Sequence, residues 1–196
     1  MKKNRALFMV IMTLLLSAMF CMPVGAASLK QKNAAAVRLY NKKIRACLNQ
    51  SRLGVSSLCT DLTGDGVKEV IIDYLPKNGG SGHKLLIYTV KNGKLKNILN
   101  SGEYGLEWIK IYKKTKSFVY YRAGHGGEMY VFCQYRNGKF RGVASKGRST
   151  GAAGSRSWIY YGSKGQISKS KYNSITRKLL KGAKKKYTWT QWKMTT

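Results

Sequence analysis

The chain has 196 residues, with 37 Lys and Arg against 7 Asp and Glu, and its formal net charge is +30. Such a charge opposes compaction and attracts polyanions. The sequence has no Walker loop, no HExxH motif and no paired zinc-type cysteines, which excludes the common nucleotide-cofactor and zinc-dependent classes.

The first 27 residues have the pattern of a secretory signal peptide. Basic residues at positions 2, 3 and 5 precede an almost wholly apolar run over 6–22, and small residues follow Pro23. This order of charged, apolar and small residues is typical of a cleaved export signal. Removal of segment 1–27 leaves one secreted domain, 28–196, which is long enough to form a hydrophobic core. An uncleaved N-terminal membrane anchor is the alternative, since about 20 apolar residues span a bilayer.

Segment 28–50 predicts a helix. Three alanines at 34–36 favour it, and apolar residues recur at spacings of three and four positions: Val37, Tyr40, Ile44 and Leu48. We expect this helix to cover one side of a β-sheet.

Three cysteines follow the signal peptide: Cys47, Cys59 and Cys133. An odd number leaves at least one thiol unpaired within the chain. Export permits disulfides, and Cys47 and Cys59 are the closer pair. A disulfide between them is one hypothesis, although sequence spacing alone does not bring two cysteines together.

Residues 58–167 predict a β-meander. Short β-branched and aromatic runs alternate there with turns rich in Gly and Asn. Asn92-Gly93 and Asn137-Gly138 indicate tight hairpins, because Asn and Gly tolerate positive φ angles. A faint repeat of 45 residues (137 minus 92) relates the two turns. The predicted strands are Val67–Tyr74, Lys84–Val90, Leu95–Leu99, Leu106–Tyr112, Phe118–Arg122, Met129–Tyr135, Phe140–Ala144 and Ser157–Tyr161.

Segment 168–196 predicts a basic helix followed by an aromatic closing strand. Tyr172, Ile175 and Leu179 form the apolar stripe of the helix. Lysines are concentrated at its end, which makes them candidates for electrostatic binding: Lys181, Lys184, Lys185 and Lys186. The fold class is therefore mainly β with flanking helices (α+β). An N-terminal helix packs on a curved antiparallel β-meander or small sandwich of Asn-Gly hairpins, and the basic helix and closing strand complete it.

A candidate calcium loop lies just before the first predicted strand. In segment 61–69, side-chain oxygens fall at loop positions 1, 3, 5 and 9, and a backbone carbonyl is available at position 7: Asp61, Thr63, Asp65, Glu69 and Val67. Ca²⁺ takes six to eight oxygen ligands, and a glycine after position 5 allows the sharp turn. The alternative is a metal-free turn in which Asp61 and Asp65 accept hydrogen bonds from backbone amides.

The segment resembles the Asp-rich calcium loops of FG-GAP and VCBS repeats, and more distantly those of dockerins. The resemblance implies a structural Ca²⁺ at the start of a strand. Position 12 is Ile72 rather than a bidentate acid, which departs from an EF-hand. The whole chain is similar to small secreted proteins of unknown function from Gram-positive bacteria, and that group brings no established activity.

Two histidines, His83 and His125, lie in Gly-rich loops that enter equivalent strands of the repeat. Glu128 follows His125 closely, so these three residues are candidates for ligand binding. We expect both loops at one end of the sheet, opposite the calcium-like loop. A Cys133–His125 nucleophile pair is conceivable, although strand alternation places Cys133 among core residues.

The expected function is a secreted, strongly cationic, calcium-stabilised binding module that acts on anionic extracellular polymers or cell surfaces. Candidate partners are teichoic acid, acidic glycans, phospholipids and extracellular nucleic acid. The alternatives are a secreted hydrolase that uses the Gly-rich His loops, and a cationic membrane-active effector. Several aromatic residues are interleaved with Lys and Arg, which suits either stacking on bases or sugars or ordinary strand packing: Tyr104, Trp108, Tyr112, Tyr120, Tyr121, Tyr130, Tyr160 and Tyr161.

Overall fold

A computed structural model describes residues 27–78, 82–103, 106–124, 126–149, 157–188 and 191–196. The predicted signal peptide lies outside these residues except for Ala27, and so do His125 and Tyr104. Within the described part of the chain, no helix has the length and apolar character needed to cross a membrane.

The residues that the structure describes form two α-helices, one 3₁₀ turn at Lys113–Thr115 and a series of strands. The helices are α1 (Leu29–Asn49) and α2 (Lys169–Leu179). The strands are β1 (Ser51–Thr60), β2 (Glu69–Pro76), β3 (His83–Lys91), β4 (Lys94–Glu103), β5 (Leu106–Tyr112), β6 (Ser117–Gly124), β7 (Gly127–Arg136), β8 (Lys139–Ser149), β9 (Ile159–Gly162), β10 (Gly165–Gln166), β11 (Lys185–Thr188) and β12 (Lys193–Thr195).

The strands form two antiparallel sheets. The five-stranded sheet has the order β12-β1-β2-β3-β4, and the seven-stranded sheet has the order β10-β9-β8-β7-β6-β5-β11. The predicted α+β class, mainly β with an N-terminal and a C-terminal helix, is confirmed.

The molecule is layered as helix, sheet, sheet, helix. Successive side chains of a strand point to opposite faces, so β2 contributes to two cores. Its Ile71 lies between the sheets with Ile109 and Phe118, whereas its Val70 and Ile72 pack against α1 on the outer face. Helix α2 covers part of the outer face of the seven-stranded sheet. A strand that is buried on both faces has apolar residues at consecutive positions rather than at alternate ones. This accounts for the run Val70-Ile71-Ile72 in β2.

Helix α1 begins where the sequence predicts. Ser28 and Gln31 form a reciprocal capping box at its start. The Tyr40 side chain is fully buried, and its hydroxyl donates to the carbonyl of Lys68 at 2.6 Å. This contact fixes the helix against the five-stranded sheet and against the loop that precedes β2.

The two Asn-Gly turns have the backbone that the sequence predicts. Asn92 and Gly93 have φ of 52° and 69°, and Asn137 and Gly138 have φ of 51° and 76°. Positive φ at both central positions is the signature of the type I′ turn, whose twist matches that of the strands. The two copies of the repeat lie in different sheets, since one turn joins β3 to β4 and the other joins β7 to β8.

Two regions differ from the sequence prediction. Strand β1 was not predicted, because its Ser, Gly and Cys residues have weak β propensity and its burial comes from α1 and the neighbouring sheet. The single closing strand expected at the C-terminus is divided. Strand β11 pairs with β5 in the seven-stranded sheet, and β12 pairs with β1 in the five-stranded sheet.

The Cys47–Cys59 disulfide is not formed, and both residues are free thiols. Cys47 lies in the last turn of α1, immediately before β1 begins at Ser51. Cys59 lies near the far end of β1, and a strand rises about 3.3 Å per residue. The extended strand therefore carries Cys59 well beyond the distance of about 7 Å between Cα atoms that a disulfide tolerates.

Tyr40 is expected to be essential for docking α1. Tyr40→Ala should lower the free energy of unfolding by about 3–5 kcal/mol, as do other large-to-small changes of aromatic core residues. Tyr40→Phe should cost about 1–2 kcal/mol, because it removes the hydroxyl and leaves the Lys68 carbonyl without its donor. Urea unfolding measures both. Val37→Ala, on the exposed side of the same helix, is the control, and a loss equal to that of Tyr40→Ala would contradict this role.

Candidate functional site

The calcium-like loop is organised around Glu69. This side chain is fully buried, and four donors surround its carboxylate. The backbone amides of Leu62 and Thr63 donate to Oε2 at 2.7 and 3.3 Å. The hydroxyls of Thr63 and Thr89 each donate to Oε1 at 3.2 Å. Burial nevertheless outweighs these hydrogen bonds and raises the pKa of Glu69 to about 7.

The other two carboxylates of the loop also bond within the protein. Asp61 accepts from the amide of Gly64 at 2.7 Å, and its second oxygen is 3.1 Å from the ammonium of Lys113. Asp65 accepts from the amide of Val67 at 2.9 Å. These bonds match the metal-free turn that the sequence left open as an alternative.

The loop is also held by α1 through Asn33, a residue that sequence reasoning missed. Its amide nitrogen donates to the carbonyl of Gly66 at 3.1 Å, and its oxygen accepts from the amide of Lys68 at 2.7 Å. Within the described residues, no group of three His, Cys, Asp or Glu side chains is positioned to hold a metal. Calcium binding at Asp61, Thr63, Asp65, Val67 and Glu69 therefore stays a prediction.

The opposite end of the five-stranded sheet carries an Asp–His pair. Asp73 points into the space between the sheets because it shares the face of Ile71, and its side chain is fully buried. His83 opens β3 beside it, with Nδ1 3.1 Å from Asp73 Oδ2. The hydrogen bond to Asp73 raises the pKa of His83 above its ordinary value, against the opposing effect of burial.

The candidate residues Glu128 and His83 are not brought together. Glu128 lies on the outer face of the seven-stranded sheet, where it accepts from the Tyr121 hydroxyl at 2.8 Å and pairs with Arg148. The bond from Arg148 holds the pKa of Glu128 below its ordinary value. Burial raises the pKa of the Cys133 thiol to about 12, so this thiol is not a nucleophile at neutral pH.

The outer face of the seven-stranded sheet carries a patch of rings and cations that we call the aromatic-basic face. It consists of Trp108, Lys110, Tyr121, Tyr130, Lys146, Arg148, Trp158 and Lys186. The rings are in mutual contact across neighbouring strands. Tyr121 lies 5.6 Å from Trp108 and 4.8 Å from Tyr130 between ring centroids, and Trp158 lies 5.7 Å from Tyr130.

The cations of this face lie over the rings. Two ammonium groups approach Trp108, from Lys110 at 4.6 Å and from Lys186 at 5.3 Å. Lys146 lies 4.6 Å from the Tyr130 centroid and 4.3 Å from that of Trp158. The Arg148 guanidinium lies 4.7 Å from Trp158. Distances within about 6 Å are those of cation–π contacts.

Charge is crowded on this face. Burial lowers the pKa of Lys110 below its ordinary value, and the neighbouring Lys184 and Lys186 lower it further. Burial also lowers the pKa of Lys146, partly offset by Glu128. An anion placed here would relieve the repulsion between these ammonium groups.

The four C-terminal lysines do not act as one cluster. All are exposed. Lys186 joins the aromatic-basic face, and Lys184 acts electrostatically on Lys110 of that face. Lys185 lies over the Tyr187 ring at 4.9 Å. Lys181 lines a shallow concavity on the exposed side of α2, together with Arg177 and Lys178.

No protein-family model, curated protein or solved structure matches this chain.

The raised pKa of Glu69 predicts a pH dependence of stability. Between pH 4.5 and about 7 the folded state binds this proton more tightly than the unfolded state, so stability should fall as pH rises. The loss should be roughly 3 kcal/mol at most, at about 1.4 kcal/mol per pKa unit. The Glu69→Gln variant should not show the part of this fall in unfolding free energy that comes from Glu69, because glutamine does not titrate. Urea unfolding in the presence of a chelator measures both proteins, and identical pH profiles would contradict the assignment.

A calcium site at the loop predicts that Ca²⁺ raises the melting temperature relative to chelator, because a ligand of the native state stabilises it by mass action. Asp65→Ala should abolish the difference. The matched control is Glu107→Ala, which removes one exposed acid outside the loop and should leave the difference intact. Equal melting temperatures of the wild type with Ca²⁺ and with chelator would exclude the site.

Proposed function

We infer that this protein is a secreted, strongly cationic binding module that holds anionic extracellular polymers or cell surfaces on the aromatic-basic face. The observation that carries this proposal is the set of cation–π contacts on adjacent strands of one sheet. Export is supported by the charged, apolar and small residues at the start of the chain.

Rings that hold ammonium groups in place favour binding. A free lysine side chain loses about 2 kcal/mol of rotamer entropy when it becomes ordered. A cation–π contact offsets part of this cost before any ligand arrives, by about 0.5–1 kcal/mol at exposed sites. Three ion pairs occur among the described residues, and none includes Lys110, Lys146 or Lys186. Their charges are therefore available to an anionic partner.

The shape of the face suits a chain rather than a small molecule. The rings and cations extend across β11, β5, β6, β7 and β8 to Trp158, beside the part of the sheet that α2 covers. Teichoic acid, acidic glycans, phospholipid surfaces and nucleic acid all present closely spaced anions. The rings add stacking on bases or sugars, which is worth about 1–3 kcal/mol per base in single-strand binding. Any Ca²⁺ held by the 61–69 loop would have a structural role at a different place in the sandwich.

The hydrolase alternative now depends on the Asp73–His83 pair, since a buried carboxylate that orients a histidine is a common acid–base arrangement. No Ser, Thr or Cys side chain within the described residues hydrogen-bonds to His83. Binding without turnover would favour the binding module, whereas turnover lost in a folded His83→Ala variant would favour the enzyme.

The test compares two variants with the same change in net charge. The face variant carries Lys110→Gln, Lys146→Gln and Lys186→Gln. The control variant carries three substitutions at exposed positions of α1 on the other side of the molecule: Lys30→Gln, Lys32→Gln and Lys42→Gln. Binding to teichoic acid, heparin, DNA and anionic liposomes is titrated from low to high salt. For DNA the face variant should bind more weakly, and its salt slope should be lower by roughly 2–3, at about 0.9 per phosphate contact.

Several outcomes would decide against the proposal. Equal loss of binding in the two variants would mean that net charge, not the face, drives association. Tight binding that does not depend on salt would indicate a shaped pocket. Dye leakage from the liposomes would instead favour the membrane-active effector. Trp158→Leu tests the rings separately, and it should weaken binding to DNA more than binding to teichoic acid.

A further inference from the structure

A cavity of about 250 Å³ lies on the inner face of the seven-stranded sheet. It follows a row of cross-strand partners from β6 to β9: Arg122, Met129, Gly147 and Ile159. Directly paired residues share one face of a sheet, so their side chains line the same space. Gly147 has no side chain, and this leaves room between Met129 and Ile159. Tyr161 on β9 also lines the cavity, and so do Glu128 and Arg148, which pair with each other.

The outer part of this cavity is open. The core between the sheets contains no residue of β9 or β10 among its described members. Ile159 and Tyr161 accordingly remain 42% and 41% exposed, although both are large and apolar. The inner end of the cavity is different, because Arg122 there is only 3% exposed.

Arg122 is a buried cation without an anionic partner among the described residues. Its Nε and Nη2 atoms are buried and have no hydrogen bond, and none of the three ion pairs of the described chain includes it. Its guanidinium lies 4.8 Å from the Tyr120 ring centroid. This cation–π contact does not provide a hydrogen-bond acceptor for the N–H groups of Nε and Nη2. Arginine stays protonated at any physiological pH, so it cannot become neutral to avoid the cost of burial.

The nearby charges do not neutralise Arg122. Asp73 lies in the same inter-sheet space, but its Oδ2 is paired with His83, and its Oδ1 is buried without a partner. Arg122 acts electrostatically on His83 and on Cys133, which places all three in one neighbourhood. Glu128, which also lines the cavity, pairs with Arg148 and forms no ion pair with Arg122.

We propose that this cavity binds a small ligand with one oxyanion group and an apolar body. Nε and Nη2 form one edge of the guanidinium, with two parallel N–H donors that match the two oxygens of a carboxylate or phosphate. The apolar body lies against Met129, Ile159 and Tyr161. The volume is sufficient, since a cavity of about 150 Å³ admits benzene. This site adjoins the aromatic-basic face, because Arg148 belongs to that face and also lines the cavity, but Arg122, Met129 and Ile159 lie on the opposite side of the sheet from its rings.

The experiment uses three probes of similar size on the folded protein: benzoate, phenyl phosphate and the neutral benzamide. Benzoate or phenyl phosphate should raise the melting temperature and bind in calorimetry, whereas benzamide should do neither. The stronger of the two anions identifies the group as carboxylate or phosphate. No effect of either anion, or an equal effect of benzamide, would overturn the proposal.

Substitutions test whether the anions bind in this cavity. Arg122→Met should abolish the response to the anions and should melt no lower than the wild type without ligand, because it removes an unpaired buried charge. Ile159→Glu places a carboxylate at the open rim and should weaken anion binding at least roughly tenfold by repulsion. Leu53→Glu is its matched control, since Leu53 is 73% exposed and lies on the five-stranded sheet. If Arg122→Met does not fold, the comparison of Ile159→Glu with Leu53→Glu tests the site instead. Equal weakening of anion binding in these two variants would contradict the proposed site.

Discussion

The packing of two sheets against each other, each with a helix on its outer face, is the constraint on which the rest of this structure depends. A chain with a formal net charge of +30 repels itself, so apolar burial must supply the compensating free energy. The central strands contribute to two cores at once because their side chains alternate. Ile71 and Ile87 fill the space between the sheets, while Val70 and Ile72 contact α1. Apart from Arg122, which is buried on the inner face, the cations described above lie on the outer faces and near the strand ends.

Three charged side chains are buried among the described residues, Glu69, Asp73 and Arg122, and the surroundings of Glu69 and Arg122 differ most. Glu69 is surrounded by four donors from the loop and from Thr89, and its raised pKa lets it take up a proton near neutrality. Arg122 has no such compensation. It cannot become neutral by losing its proton, and two of its nitrogens have no hydrogen-bond acceptor. Satisfied buried polar networks rigidify a fold, whereas an unsatisfied buried group needs a separate explanation. This contrast assigns a structural role to the first residue and a binding role to the second.

Helix α2 determines which part of the seven-stranded sheet stays accessible. Tyr172 and Leu179 pack on Val119 and Phe132, and the Thr115 and Ser117 hydroxyls donate to the carbonyl of Leu179 at the end of the helix. The neighbouring part of the sheet keeps its rings and cations half-exposed. A flat array of ordered cations beside stacked rings is the geometry of many polyanion-binding surfaces, and it arises here from covering only part of a broad sheet.

The sequence by itself determined the α+β class, α1, the two Asn-Gly turns and most strands, because these depend on local propensity and periodicity. It also singled out segment 61–69 and His83 as unusual residues. Only the tertiary structure decided that β1 is a strand, that the C-terminus divides between the sheets, and that Cys47 and Cys59 lie apart. The aromatic-basic face and the unpaired Arg122 were likewise not predictable, since each depends on the register between strands distant in the chain. Long-range pairing decides which residues share a face, and no local pattern in a single sequence records it.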